Sequence, residues 1–235
     1  MPTSAPTSLR SRWGERRVSG WGGRVGRSVR IRGVRVAGTT LSVSILGSPP
    51  AEAGPADPAW RGYQAEVAET DDVVELVVRE QLPDVDPPPG HGSSRVGHAL
   101  LLSVQLAQPL AGRPVIDRST GSPVPVFRRV LTVRPSSGWL PRSEQGGATW
   151  MQSFTGPGGE FILNQGPSHI GVVSHPTFFE RTGLTTVRGV SAEWGSAPGE
   201  TSLHWVEDGD GVQLVSSVLP LDALVEIANG LTAAE

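Results

Sequence analysis

The sequence contains no cysteine. That excludes disulfide frameworks, thiolate catalysis, iron–sulfur clusters and cysteine-ligated zinc. It contains no lysine either, since all 20 basic residues are arginine. We read this bias as the mark of a GC-rich coding sequence rather than of a ligand. No stretch approaches the ~18 consecutive apolar residues of a membrane-spanning helix. No G-x-S-x-G elbow occurs, which argues against an α/β-hydrolase. No P-loop is present, and Gly20, Gly22 and Gly26 lack the strand-then-helix context of a dinucleotide loop.

Turn residues are plentiful instead. Gly 30 and Pro 21 in 235 residues, with 37% apolar residues, indicate many turns and few long helices. The net charge of -3 gives the whole molecule no bias toward polyanions. Charge is unevenly spread, however. Residues 1–36 hold nine arginines against Glu15 alone, a local +8, and the remainder holds eleven arginines against 22 acids, a local -11. Arginines with Trp13 and Trp21 could contact phosphate and stack on bases. The acidic body weighs against nucleic acid as a partner, and peripheral membrane contact is the alternative for this tail. Arg16-Arg17 lies upstream of residues 36–46, and Ala51-Glu52-Ala53 has the A-x-A form of a cleavage site. Residues 36–46 nonetheless alternate as a strand does, so no export signal is read there.

Period-2 alternation dominates the chain. Val29–Arg32 and Leu41, Val43 and Ile45 read as strands. Tyr63–Glu69 and Val73–Arg79, joined by Thr70-Asp71-Asp72, read as a hairpin. The apolar run Ala99–Leu106 is expected at the centre of the N-terminal core. Thr149–Phe154 and Glu160–Gln165, around Gly156-Pro157-Gly158-Gly159, form a second hairpin. A third joins Leu203–Val206 to Val212–Ser216 through Glu207-Asp208-Gly209-Asp210-Gly211. After Leu219-Pro220, the spacing of Leu221, Leu224, Val225, Ala228 and Leu231 predicts one amphipathic helix over 219–231. The expected organisation is a disordered Arg/Gly-rich tail (1–28), an N-terminal β-sandwich-like unit (29–134) and a C-terminal unit (135–235). The fold class is mainly β, with two antiparallel units, the second a curved sheet covered by the C-terminal helix.

Two stretches carry a resemblance. Val187-Arg188-Gly189, Trp205-Val206-Glu207-Asp208-Gly209 and Leu221-Asp222-Ala223-Leu224-Val225-Glu226-Ile227-Ala228 resemble the C-terminal part of a family of actinobacterial and firmicute cell-envelope proteins. That family is related to lipoprotein-carrier and sigma-regulator-binding modules. Glu66-Val67-Ala68-Glu69-Thr70, Val104–Leu110, and Gly112–Asp117 with Gly121–Val124 resemble an N-terminal β module of uncharacterised actinobacterial envelope proteins. Together these cover roughly half the chain. The resemblance implies an extracytoplasmic binding module and supplies no catalytic residues. Such relatives often carry a cysteine pair in the N-terminal module, which this sequence lacks.

The remaining candidates for chemistry have simpler readings. His169 and His175, with Glu180, could donate to zinc, but two loop histidines fall short of the three or four ligands zinc needs. His91 and His98 flank a Gly/Ser loop and read the same way. Residues 207–211 space oxygen donors as a calcium loop does, but lack its distant bidentate glutamate, and an Asp-Gly hairpin turn explains them. Asp71/Asp72 and Asp84/Asp86 sit in wet turns where nothing would raise a carboxyl pKa. No metal, cofactor or catalytic residue is therefore expected. The seven tryptophans supply bulk to a thin β core, or line a ligand face. Under the second reading Phe154, Phe161, Trp194 and Trp205 line a concave face. The leading expectation is a non-enzymatic envelope binding module for an apolar small molecule or a lipidated or regulatory protein. The alternatives are a cyclase-like β-barrel enzyme acting on an apolar substrate, and a protein–protein module that pairs through a sheet edge. The sequence leaves the oligomeric state open.

Overall fold

The computed structural model describes residues 24–48, 62–83, 97–167 and 179–234. Within them the protein is mainly β, with one α-helix near the C-terminus. Nine strands build the N-terminal unit: β1 (Arg24–Val29), β2 (Ile31–Ala37), β3 (Thr40–Gly47), β4 (Gly62–Glu69), β5 (Val74–Leu82), β6 (His98–Gln105), β7 (Val115–Asp117), β8 (Ser122–Pro123) and β9 (Val126–Phe127). They form two sheets. In one, β5 pairs with β4 and, through its two halves, with β1 and β7, and β8 extends β7. The other runs β6-β3-β2-β9. The alternation seen in the sequence places Leu41, Val43 and Ile45 from β3 and Val74, Leu76 and Val78 from β5 in the core between them, all fully buried. Tyr63 packs its ring against Gly47, where a side chain would clash, and its hydroxyl accepts from the Ser48 N–H at 2.8 Å.

Two expectations need correcting. The strand β1 starts at Arg24, inside the segment assigned to the tail, because it pairs antiparallel with β5. The apolar run expected at the core's centre forms β6, which is the edge of its sheet. Its Leu101 is exposed, while Leu100 and Leu102 are half-buried. The run is apolar throughout because β6 lies beside both β4 and the C-terminal unit.

After β10 (Leu131–Thr132) and a 3-10 turn at Pro135–Ser137, the C-terminal unit is a seven-stranded antiparallel sheet. Its strands are β11 (Leu140–Gly146), β12 (Trp150–Gly156), β13 (Gly159–Pro167), β14 (Arg181–Val187), β15 (Val190–Ala197), β16 (Glu200–Glu207) and β17 (Asp210–Ser216). Their order is β11-β12-β13-β17-β16-β15-β14. The predicted hairpins are β12–β13 and β16–β17, and Asp208-Gly209 closes the second as a two-residue turn. Both turn residues have positive φ (54° and 88°), the conformation a tight hairpin demands and Asp-Gly tolerates. The sheet is open, since its end strands β11 and β14 do not pair; the barrel architecture of the enzyme alternative is therefore not formed.

The predicted helix is α1 (Leu221–Gly230). It buries Leu224, Ile227 and Ala228 on one face of the sheet, and β18 (Thr232–Ala233) then pairs with β10. The two units meet at β11. The Ser44 hydroxyl accepts from the Gly146 N–H (2.8 Å) and donates to its carbonyl (3.3 Å). Beside this contact, Trp150 packs on Phe127 and donates its ring N–H to Glu144 at 2.7 Å.

Candidate functional site

The four aromatics singled out in the sequence share one face of the seven-stranded sheet, as their register requires. Three are brought together in one buried core that also takes in residues of α1. Phe154 and Phe161 are stacked with centroids 5.0 Å apart, and Trp139 meets Phe161 edge-on at 4.9 Å. Phe154, Phe161 and Trp205 are 1–2% exposed, and they share a core with Leu163, Leu203, Leu214 and the helix residues Leu224 and Ile227. Their surface is taken up by this packing. Trp194 packs against the margin of this core and is only half-buried, beside β14.

The core closes on a carboxylate from the calcium-like stretch, which the sequence reads as a hairpin turn. Glu207, at the end of β16, accepts from Arg188 Nε (2.7 Å) and Nη2 (3.2 Å), from Arg129 (3.0 Å) and from the Trp205 ring N–H (3.3 Å). These donors, Arg188 first, hold its carboxyl below the usual carboxylate range. Arg188 occupies the left-handed region (φ 51°) in the β14–β15 turn. From there its backbone N–H reaches Asn229 (2.7 Å) and its Nη1 reaches the Leu231 carbonyl (2.6 Å). One arginine thus ties two hairpin turns to the end of α1. Asp208 pairs with Arg129, so the acids of the calcium-like stretch face arginines.

The opposite sheet face carries a polar row. Asn164 donates to Gln213 (3.2 Å), which donates to Ser202 (2.9 Å). His204 pairs in register with Gln213 on one side and Glu193 on the other, and its buried Nε2 lacks a hydrogen-bond partner. Burial pushes its pKa down, against the opposing pull of Glu193.

The two edges of this sheet differ chemically. The β11 edge is guarded: Pro141 lacks an N–H, a register shift follows it, and Arg142 and Glu144 add charge. The β14 edge has neither proline nor register shift, and its one charge is Arg181 at the start of the strand. It pairs with β15 through seven consecutive residues without a shift, and Thr182–Val187 contain neither charge nor proline. Thr182, Leu184 and Thr186 are exposed, Leu184 at 73%. Among the described residues no strand covers this edge. The Trp194 ring lies against Gly183 of β14, so that a Cβ there would fall 2.9–3.0 Å from it. The glycine therefore leaves an aromatic surface bordering the open edge.

The other candidates do not assemble. Asp71 and Asp72 are exposed in the β4–β5 turn, and His98 is exposed at the start of β6. His91, His169, His175, Asp84 and Asp86 lie outside the described residues. Among the described residues no three His, Cys, Asp or Glu side chains converge, and no helix is long and apolar enough to cross a membrane. In comparisons with known proteins, no family model, no curated protein and no solved structure matches the chain.

Proposed function

We propose that the chain is a non-enzymatic binding module that takes up an extended segment of a partner polypeptide as an eighth strand on β14. The observation that carries this reading is the contrast between the edges. An unpaired strand edge is a template for another chain, and proteins ordinarily blunt it, as β11 is blunted here. The edge at β14 presents seven regular residues without a charge after Arg181. Main-chain hydrogen bonds would supply affinity, and side-chain contacts along the edge would supply selectivity. The exposed Leu184 and the surface of Trp194 over Gly183 are apolar features that can select, and they favour an apolar or β-branched residue opposite. The likeness to envelope modules makes a lipidated or regulatory protein the partner class to try first.

The test is a random-peptide display selection on the purified protein, followed by titration of the recovered peptides. Leu184→Lys places a charge on the open edge, and Leu140→Lys does the same at an exposed position of the guarded edge. The proposal expects uncharged, β-branched peptides whose binding falls at least tenfold with Leu184→Lys and is unchanged by Leu140→Lys. Peptides that bind Leu184→Lys as well as the wild type would refute it.

A further inference from the structure

A second site, separate from β14, lies where the two units meet. A cleft of about 600 Å3 opens between the β1–β2 connection, the β7–β9 segment and the β11–β12 turn at Gly147-Ala148. That volume falls within the range of small-molecule sites. Val29, Ile31, Leu46 and Val124 give it apolar walls.

Its charges are arranged unusually for this molecule. Arg27, Arg35, Arg79 and Arg113 of the N-terminal unit each pair with a glutamate. Arg30 and Arg32, which border the cleft, have no hydrogen-bond or ion-pair partner among the described residues. The carboxylate in the lining is Asp117, only 2% exposed. Its oxygens are taken by the Ile31 N–H (3.1 Å), the Ser119 N–H (2.9 Å) and the Ser119 hydroxyl (2.6 Å). Asp117 thus fixes the wall of the cleft and is not turned toward the arginines as their partner. The Arg32 guanidinium lies beside Gly147, where a Cβ would sit 3.4 Å from Nη2, so the glycine leaves it room.

We propose that this cleft binds a small organic anion with an apolar body, a carboxylate in the first instance, with Arg30 and Arg32 as its charge partners. Guanidinium groups suit planar oxyanions because they donate two parallel N–H bonds. The apolar walls favour a hydrocarbon portion, and a bare inorganic ion would leave them unused.

Decanoate, decanol and inorganic phosphate are the probes, each titrated calorimetrically into the full chain. The variants are Arg32→Gln, Arg30→Gln/Arg32→Gln, and Ala148→Trp, which fills the cleft from an exposed position. The exposed arginines and Ala148 lie outside the core, and circular dichroism melts verify folding of each variant. The expected result is one decanoate per chain, bound at least tenfold more weakly by Arg32→Gln and lost in the double variant and in Ala148→Trp. Any of three results would overturn the proposal. Decanoate does not bind, decanol binds as tightly as decanoate, or phosphate binds with the same arginine dependence while decanoate does not.

Discussion

Replacing Phe161 by alanine separates a core aromatic from a ligand-lining one. The ring is 1% exposed, stacked on Phe154 and met edge-on by Trp139. Removing a buried phenylalanine costs about 3–5 kcal/mol. Each aromatic pair that the ring makes adds roughly 0.5–1.5 kcal/mol beyond its area burial. The upper half of the range, about 4–5 kcal/mol, is therefore expected. With a urea dependence of about 2–3 kcal/mol per molar, the unfolding midpoint should fall by roughly 1.3–2.5 M. Tryptophan fluorescence reads the transition well, because Trp139, Trp150, Trp194 and Trp205 all lie in the C-terminal unit or its entry. A ring lining an open ligand face would have little packing to lose. A midpoint change below about 0.5 M, with an unchanged slope, would refute the closed-core account.

Two polar groups give further expectations. Glu207→Gln should cost about 1.5–3 kcal/mol, through loss of the charge-assisted bonds from Arg188, measured by the same urea titration. Because its folded pKa lies below the unfolded value, Glu207 stabilises the wild type above the ordinary glutamate pKa. That contribution disappears as pH falls through the folded value, so the two proteins should converge in stability in acid. For His204 the shift is in the same direction, and burial rather than a partner causes it. Its folded pKa lies below about 6.5, so the unfolded chain takes the proton first and stability declines as pH drops below about 6.5. Thermal melts between pH 7.5 and 5 should show that decline in the wild type and a flatter profile in His204→Phe; equal slopes would contradict it.

Much of the fold was legible because its signals are local. Strict alternation and Gly- or Asp-rich turns located β4–β5, β12–β13 and β16–β17, and the 3.6 period located α1. What was not legible depends on tertiary partners. The strand β1 looks like polar tail until β5 is placed beside it. The run in β6 is as apolar as a central strand because other elements approach it, not because it is central. The clamp of Arg188 and Glu207 requires an arginine in the left-handed region, which no residue pattern signals. Trp139 sits in an irregular segment after Gly138 and offered no period to read. The aromatic quartet illustrates the harder limit. Alternation places Phe154, Phe161, Trp194 and Trp205 on one face equally well whether that face meets a ligand or a helix. Burial in the folded chain is what distinguishes Trp194, half-buried beside β14, from the other three.

The most direct test of the proposed function is residue-resolved amide hydrogen exchange with and without a display-selected peptide. An unpartnered edge strand leaves its outward N–H groups open to water, and strand addition occupies them. The outward amides among Arg181–Val187 should exchange rapidly in the free protein and slow at least tenfold in the complex, with β11 unaffected. Protection confined to other strands, with those β14 amides still exchanging freely in the saturated complex, would contradict the account.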